Sequence, residues 1–297
     1  MSALRRAIAL GLCGLAAGCR APVAAAPSTD GDGVRAGRAR HVITAGAAPP
    51  LAVAVNGCDS KAFSLPFAAL KEHPLSAESF RDVMALATPL CSPVVQGNLL
   101  HLVQCALPEG DALSLTTLDG QALHFSGQLG LAPDWRTKPC DQACQEWVSA
   151  CMYALRNYYP VHVEVWLSAE TIPVVPGEED FPIQEGAFFG NYFQGYRTGY
   201  ACRGSSYDPM AAVWRRCAQP GSDCGDILAI GPCSADDGLR GERVASFACE
   251  HTNPDGSYRD CHTRLSNPDG TFPADSVLFP HAITINLRRP DFNAACP

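Results

Sequence analysis

Hydrophobic and polar positions are most regular between Pro139 and Glu170. Cys140, Cys144, Trp147, Cys151, Ala154 and Tyr158 recur at steps of four and three, the period of one buried helix face. Asp141, Gln142, Gln145, Glu146, Ser149, Arg156 and Asn157 fall on the other side. Asp141 stands where an N-cap belongs, so the pattern predicts a helix reaching Tyr158 and ended by Pro160. Val161, Val163, Val165 and Leu167 then alternate with His162, Glu164 and Trp166, which predicts a half-buried strand.

The same reading predicts a helix over Leu75–Ala87, with Ser76 as N-cap and Leu75 and Phe80 as a hydrophobic staple. Pro89 stops it. Leu99–Leu107 reads as a buried strand, and Ala112–Ser126 as a hairpin with a two-residue Asp119-Gly120 turn. Weak alternation at Leu51–Val55 suggests a first strand, and Val277–Leu287 a last one. Past Ala201 only Pro209–Cys217 looks helical. Asn253-Pro254-Asp255-Gly256-Ser257-Tyr258 recurs as Asn267-Pro268-Asp269-Gly270-Thr271-Phe272, two tight turns and not a solenoid. The expected class is α+β, predominantly β, a disulfide-rich secreted domain with two or three helices.

Cysteine changes this picture most. Setting aside Cys13 and Cys19 from the fifteen leaves thirteen: Cys58, Cys91, Cys105, Cys140, Cys144, Cys151, Cys202, Cys217, Cys224, Cys233, Cys249, Cys261 and Cys296. In an exported chain these are disulfide candidates, and an odd number leaves at least one unpaired. The pairing is not deducible from spacing. There is no CxxC, which argues against zinc ribbons and iron–sulfur clusters, and Cys261-His262 lacks the upstream cysteine of haem attachment. No metal or other cofactor is expected.

The N-terminus indicates export. Arg5 and Arg6 precede an apolar run, Ala7–Leu15, that is too short to span a bilayer. It leads into Ala16-Ala17-Gly18-Cys19, which resembles the lipobox of bacterial lipoproteins, although Ala16 stands where Leu is commonest. The resemblance implies a signal peptide over residues 1–18 and a diacylated Cys19 that anchors the chain to the membrane. Arg20, in place of Asp, implies the outer membrane. Residues 19–50 read as a flexible tether of small residues. Residues 51–170 form an expected α+β core, and 171–297 a cysteine-rich β/loop region, either separate or part of the same domain. The net charge of −8 becomes −10 without Arg5 and Arg6, which argues against nucleic acid as a partner.

No assembled catalytic signature is present: neither G-x-S-x-G nor HExxH occurs. His162 and Glu164 share one face of the expected strand and, with a further carboxylate, form the candidate set for a hydrolase. Glu178, Glu179 and Asp180 read as a solvated acidic loop. Phe188, Phe189, Tyr192, Phe193, Tyr196 and Tyr200 are dense enough to make a stacking platform for a protein or glycan, with Tyr192, Phe193 and Tyr196 at its centre. Phe188 and Phe193 would fit a core equally well. The sequence favours a non-catalytic anchored binding or structural module over the hydrolase.

Overall fold

The computed structural model describes residues 42–45, 65–84, 90, 93–117, 120–155, 163–172, 180–194, 199–205, 227–237 and 242–288. Cys19, Leu51–Val55, Cys58, Cys91, His162, Glu178, Glu179, Tyr196, Pro209–Cys217, Cys224 and Cys296 lie outside these residues. Among the described residues, no helix is long and apolar enough to cross a membrane. Among the described residues the architecture is α+β, mostly strand, with four α-helices where the sequence suggests two or three.

The chain opens with β1 (Val42–Ala45), which falls inside the stretch read as tether. Two short helices follow, α1 (Phe67–Leu70) and α2 (Ala77–Met84). Ser76 caps α2 as expected, its Oγ accepting the Ser79 amide at 3.2 Å, while Leu75 and Phe80 are both buried.

Next comes α3 (Pro93–Ala106), where the sequence had suggested a strand from Leu99. A mostly apolar run, broken here by His101 and Gln104, does not distinguish the two by period, but a stretch of this length beginning at Pro does. Val95, Leu99, Leu102, Val103 and Ala106 are all buried, at helical spacing.

The hairpin β2 (Ala112–Thr116) and β3 (Ala122–Ser126) has the expected register, Leu113 opposite Phe125 and Leu115 opposite Leu123. The Thr117 amide bonds the Gln121 carbonyl at 2.9 Å beyond the strand ends, and Asp119 of the expected turn lies outside the described residues. The chain leaving the hairpin then caps α3. The amides of Leu129, Gly130, Leu131 and Ala132 donate to the carbonyls of Gln104, Leu107, Cys105 and Ala106. Helix ends leave such carbonyls without intrahelical partners.

Helix α4 (Gln142–Ala154) starts at Asp141, whose Oδ1 accepts the Cys144 amide at 3.0 Å. It packs beside α3, and Cys105–Cys151 bridges the two. Cys140–Cys144 closes its first turn.

The remaining long strands are β4 (Val163–Ser168), β5 (Ile183–Phe189), β6 (Gly199–Arg203) and β7 (Ile227–Pro232). Short strands follow: β8 (Asp236–Asp237), β9 (Glu242–Arg243), β10 (Cys249–Thr252), β11 (Tyr258–His262) and β12 (Leu278–Phe279). The last is β13 (Ile283–Leu287). The sequence had merged the final two into one strand; Pro280 lies between them and has no amide to donate.

A six-stranded sheet runs β1-β4-β13-β5-β6-β7, antiparallel except for β6 with β7. Within it β4, from residues 51–170, pairs with β13, from residues 171–297, and both ranges contribute to one apolar cluster. One face carries Val165, Leu167, Ile183, Phe188, Ala201, Ile283, Ile285 and Leu287 into a core shared with α3 and α4. The other face sends Ala187, Phe189 and Cys202 against a three-stranded sheet, β10-β11-β12. The large sheet is therefore the middle of three layers. Both faces of β4 are covered, since Val165, Trp166, Leu167 and Ser168 are all buried, so the half-buried expectation for this strand fails. Gly186 faces Gly204 and the Cys202 carbonyl so closely that an added Cβ would collide with that oxygen.

Candidate functional site

The aromatic segment turns inward. Tyr192 and Phe193 are buried, which corrects their placement on a binding platform. Tyr192 stacks on Phe67 at 5.4 Å and sits 3.9 Å from the Tyr153 ring, while Phe193 meets Trp135 edge-on at 5.6 Å. Apolar rings flanked by α1 and α4 gain more from burial than from exposure. Phe188 joins this core, and Phe189 joins the smaller core on the opposite face. Tyr196 and His162 lie outside the described residues. The Glu164 side chain lies outside those described, and Trp166 on β4 is buried beside Phe181 at 5.7 Å.

Chemistry instead collects on the layer that the cysteines staple. Cys249 and Cys261 face each other across β10 and β11 and are bonded. Cys202–Cys233 lies directly beside them, with Cys202 Sγ 3.5 Å from Cys249 Sγ. The sulfurs of Cys202, Cys233 and Cys249 lie within 4.8 Å of one another, close enough for a soft cation. Held as disulfides, they have no thiolate to offer one.

Because these cysteines face inward, alternation turns their neighbours outward. Glu250 follows Cys249 and His262 follows Cys261, and the two meet on the outer face. His262 Nε2 lies 2.6 Å from Glu250 Oε1. With Nε2–H donating to the carboxylate, Nδ1 keeps its lone pair, and 3.4 Å away stands Ser276 Oγ. The Arg264 amide donates to the same Oγ at 3.2 Å. Phe272 lies flat on the imidazole, centroids 3.5 Å apart, and meets Phe247 edge-on at 5.9 Å. Beyond Ser276, Val277 is 55% and Leu278 is 43% exposed. Carboxylate, imidazole and hydroxyl thus form one hydrogen-bonded chain beside an apolar ledge. The sequence rules out Cys261-His262 as a haem-attachment motif and assigns His262 no other role; two Cys–polar pairs on adjacent strands are the signal available.

The ledge is held by the repeated turns. In each, the Asn amide donates to the carbonyl four residues on at 2.7 Å, and the Asp Oδ1 accepts the Ser or Thr hydroxyl at 2.7 Å. Gly256 and Gly270 have φ of 83° and 84°, a left-handed conformation that costs Gly nothing.

A second cluster lies where the three layers meet. Glu146, on the side of α4 expected to face solvent, is buried, and burial raises its pKa against hydrogen bonds from Gln142 and the His281 backbone. His281 stacks on Trp147 at 4.5 Å, with Nδ1 3.7 Å from Glu170. Burial lowers its pKa, opposed by the charges of Glu170, Asp260 and Asp141. Asp260, at φ 53°, also binds His251 at 2.8 Å. Polar contacts of this cluster link α4 to the segment between β12 and β13, and that segment to the turn after β4.

Comparison with protein families, with curated proteins and with solved structures finds no match for this chain.

Proposed function

We propose that the protein is a lipid-anchored extracytoplasmic module of the outer membrane that binds a protein or glycan, with the outer face of the β10-β11-β12 layer as its contact surface. The observation that carries the reading is the ledge of Phe247, Phe272, Val277 and Leu278, with His262 buried beneath Phe272. Its two aliphatic members are exposed, while the rings of Phe67, Trp135, Tyr153, Tyr192 and Phe193 are buried. Partly exposed aromatics beside aliphatic groups are a common makeup for recognition surfaces. Rigid turns and bridges limit the ordering cost of binding. The lipobox at Cys19 and the disulfides support placement outside the cytoplasm.

The test uses the full chain in detergent, sedimented with purified cell-wall sacculi and, separately, with outer-membrane protein fractions. The expected result is retention of the native chain by one fraction and loss of retention in Val277→Asp/Leu278→Asp, with unchanged thermal unfolding. Equal retention of both chains would contradict the ledge as contact surface. Cys19→Ser tests the anchor separately: the chain should leave the membrane fraction.

A further inference from the structure

We infer that Ser276, His262 and Glu250 form a nucleophilic serine site that hydrolyses esters with an apolar acyl group. The inference goes beyond binding but shares its ledge, since Val277 and Leu278 offer the acyl chain an apolar seat.

The three groups have the order and contacts that acyl transfer needs. Glu250 fixes the imidazole with Nε2 protonated through the 2.6 Å contact, leaving Nδ1 as base toward Ser276. The 3.4 Å separation from Ser276 is long, as such contacts often are without substrate. The flat Phe272 ring holds the imidazole from one side, so its orientation does not depend on the carboxylate alone. The Arg264 amide, donating to Ser276 Oγ, stabilises negative charge there as the proton leaves.

In the first half-reaction the Ser276 hydroxyl proton passes to His262 Nδ1 as Oγ bonds to the ester carbonyl carbon. The tetrahedral adduct collapses, the carbon–oxygen bond to the alcohol breaks, and His262 protonates the departing oxygen. In the second, water gives a proton to His262 and attacks the acyl-serine. Ser276 leaves and recovers the proton, so ester and water become acid and alcohol. The amides of Ser276 and Val277 are engaged, by the Pro273 carbonyl and by Thr263 Oγ1. Oxyanion stabilisation is correspondingly weak, so turnover is slow and covalent labelling is the more sensitive readout.

The chain carries its own control. Ser114 Oγ lies 3.0 Å from His124 Nδ1 on the exposed face of the β2–β3 hairpin, and among the described residues no carboxylate backs that histidine. The experiment exposes the full chain in detergent to an alkyl fluorophosphonate and maps modified serines by mass spectrometry. The expected result is modification of Ser276 at least about tenfold faster than Ser114, lost in Ser276→Ala and slowed about tenfold or more in Glu250→Gln. Glu250 is exposed, so Glu250→Gln keeps the fold even if His262 variants do not. Ser276 reacting no faster than Ser114, or equally fast in Glu250→Gln, would overturn the assignment. Ser276→Ala should still be retained by the fraction that retains the native chain, so failure of catalysis and failure of binding read separately.

Discussion

The layer of α3 and α4 and the layer of β10, β11 and β12 flank the same sheet but hold together by different means. The helical side buries a large apolar cluster that includes Trp135, Phe80, Leu99, Leu102, Tyr153 and Phe193. The strand side has a cluster of ten residues, four of them cysteines and three of them alanines. Short strands and tight turns cannot supply much apolar volume, and covalent cross-links then make up the deficit. The helical side also contains a bridge, Cys105–Cys151, but it is embedded among residues that pack without it.

The largest expected effect is on the apolar side. Trp135 is buried and its Nε1 donates to the His73 carbonyl at 2.9 Å. Trp135→Ala should cost about 3–5 kcal/mol, read from the denaturant midpoint.

Next come the bridges, where thermodynamic cost and structural consequence should part. Chain entropy gives about 4 kcal/mol for the bridge spanning 46 residues, Cys105–Cys151, and about 3 kcal/mol for the one spanning 12, Cys249–Cys261. The paired Cys105→Ala/Cys151→Ala variant should nevertheless keep native near-ultraviolet ellipticity. Cys249→Ala/Cys261→Ala should lose order at Phe247, Phe272 and Tyr258 while the α-helical signal persists. Equal structural loss in both would break the comparison.

Smaller effects sharpen it. Asp141→Ala removes the cap of α4 and should cost about 1 kcal/mol. Gly256→Ala and Gly270→Ala should each cost about 1–2 kcal/mol through their left-handed backbone. The loss should be larger at Gly256, whose carbonyl also accepts Gln184 Nε2 at 2.9 Å.

Glu146 has a pKa raised above 4.5, so the folded chain holds that proton more tightly than the unfolded one. Its contribution is greatest below that value and is lost as pH rises through the raised folded pKa. His281 has a pKa lowered below 6.5, so its contribution is present above 6.5 and is lost as pH falls through the lowered folded pKa. Glu146→Gln should flatten the first slope and His281→Asn the second, measured as unfolding midpoints from pH 4 to 8.

Local signals were legible in the sequence wherever a short-range rule decides structure. The caps at Ser76 and Asp141, the staple of Leu75 and Phe80, and the hairpin register all follow from residues within a few positions of each other. Helix α3 was misread as a strand because Leu99–Leu107 is apolar at most positions, so period alone does not decide, whereas the start at Pro93 and the length do. Glu146 looked solvent-facing because α4 buries more than one face, which period alone cannot show. The Ser276–His262–Glu250 chain joins three separate segments, and its proximity depends on the Cys249–Cys261 pairing, which spacing did not reveal. Tyr192 and Phe193 misled because an aromatic-rich segment reads the same whether it lines a surface or fills a core.

The central claim is that bridges hold the β10-β11-β12 layer and apolar packing holds the α3–α4 layer. Hydrogen exchange of the full chain, before and after its disulfides are reduced and capped without denaturant, tests this most directly. The account predicts that amides over residues 242–279 lose protection while those of α3 and α4 keep most of theirs. Simultaneous loss in both layers, or retained protection over 242–279, would contradict it.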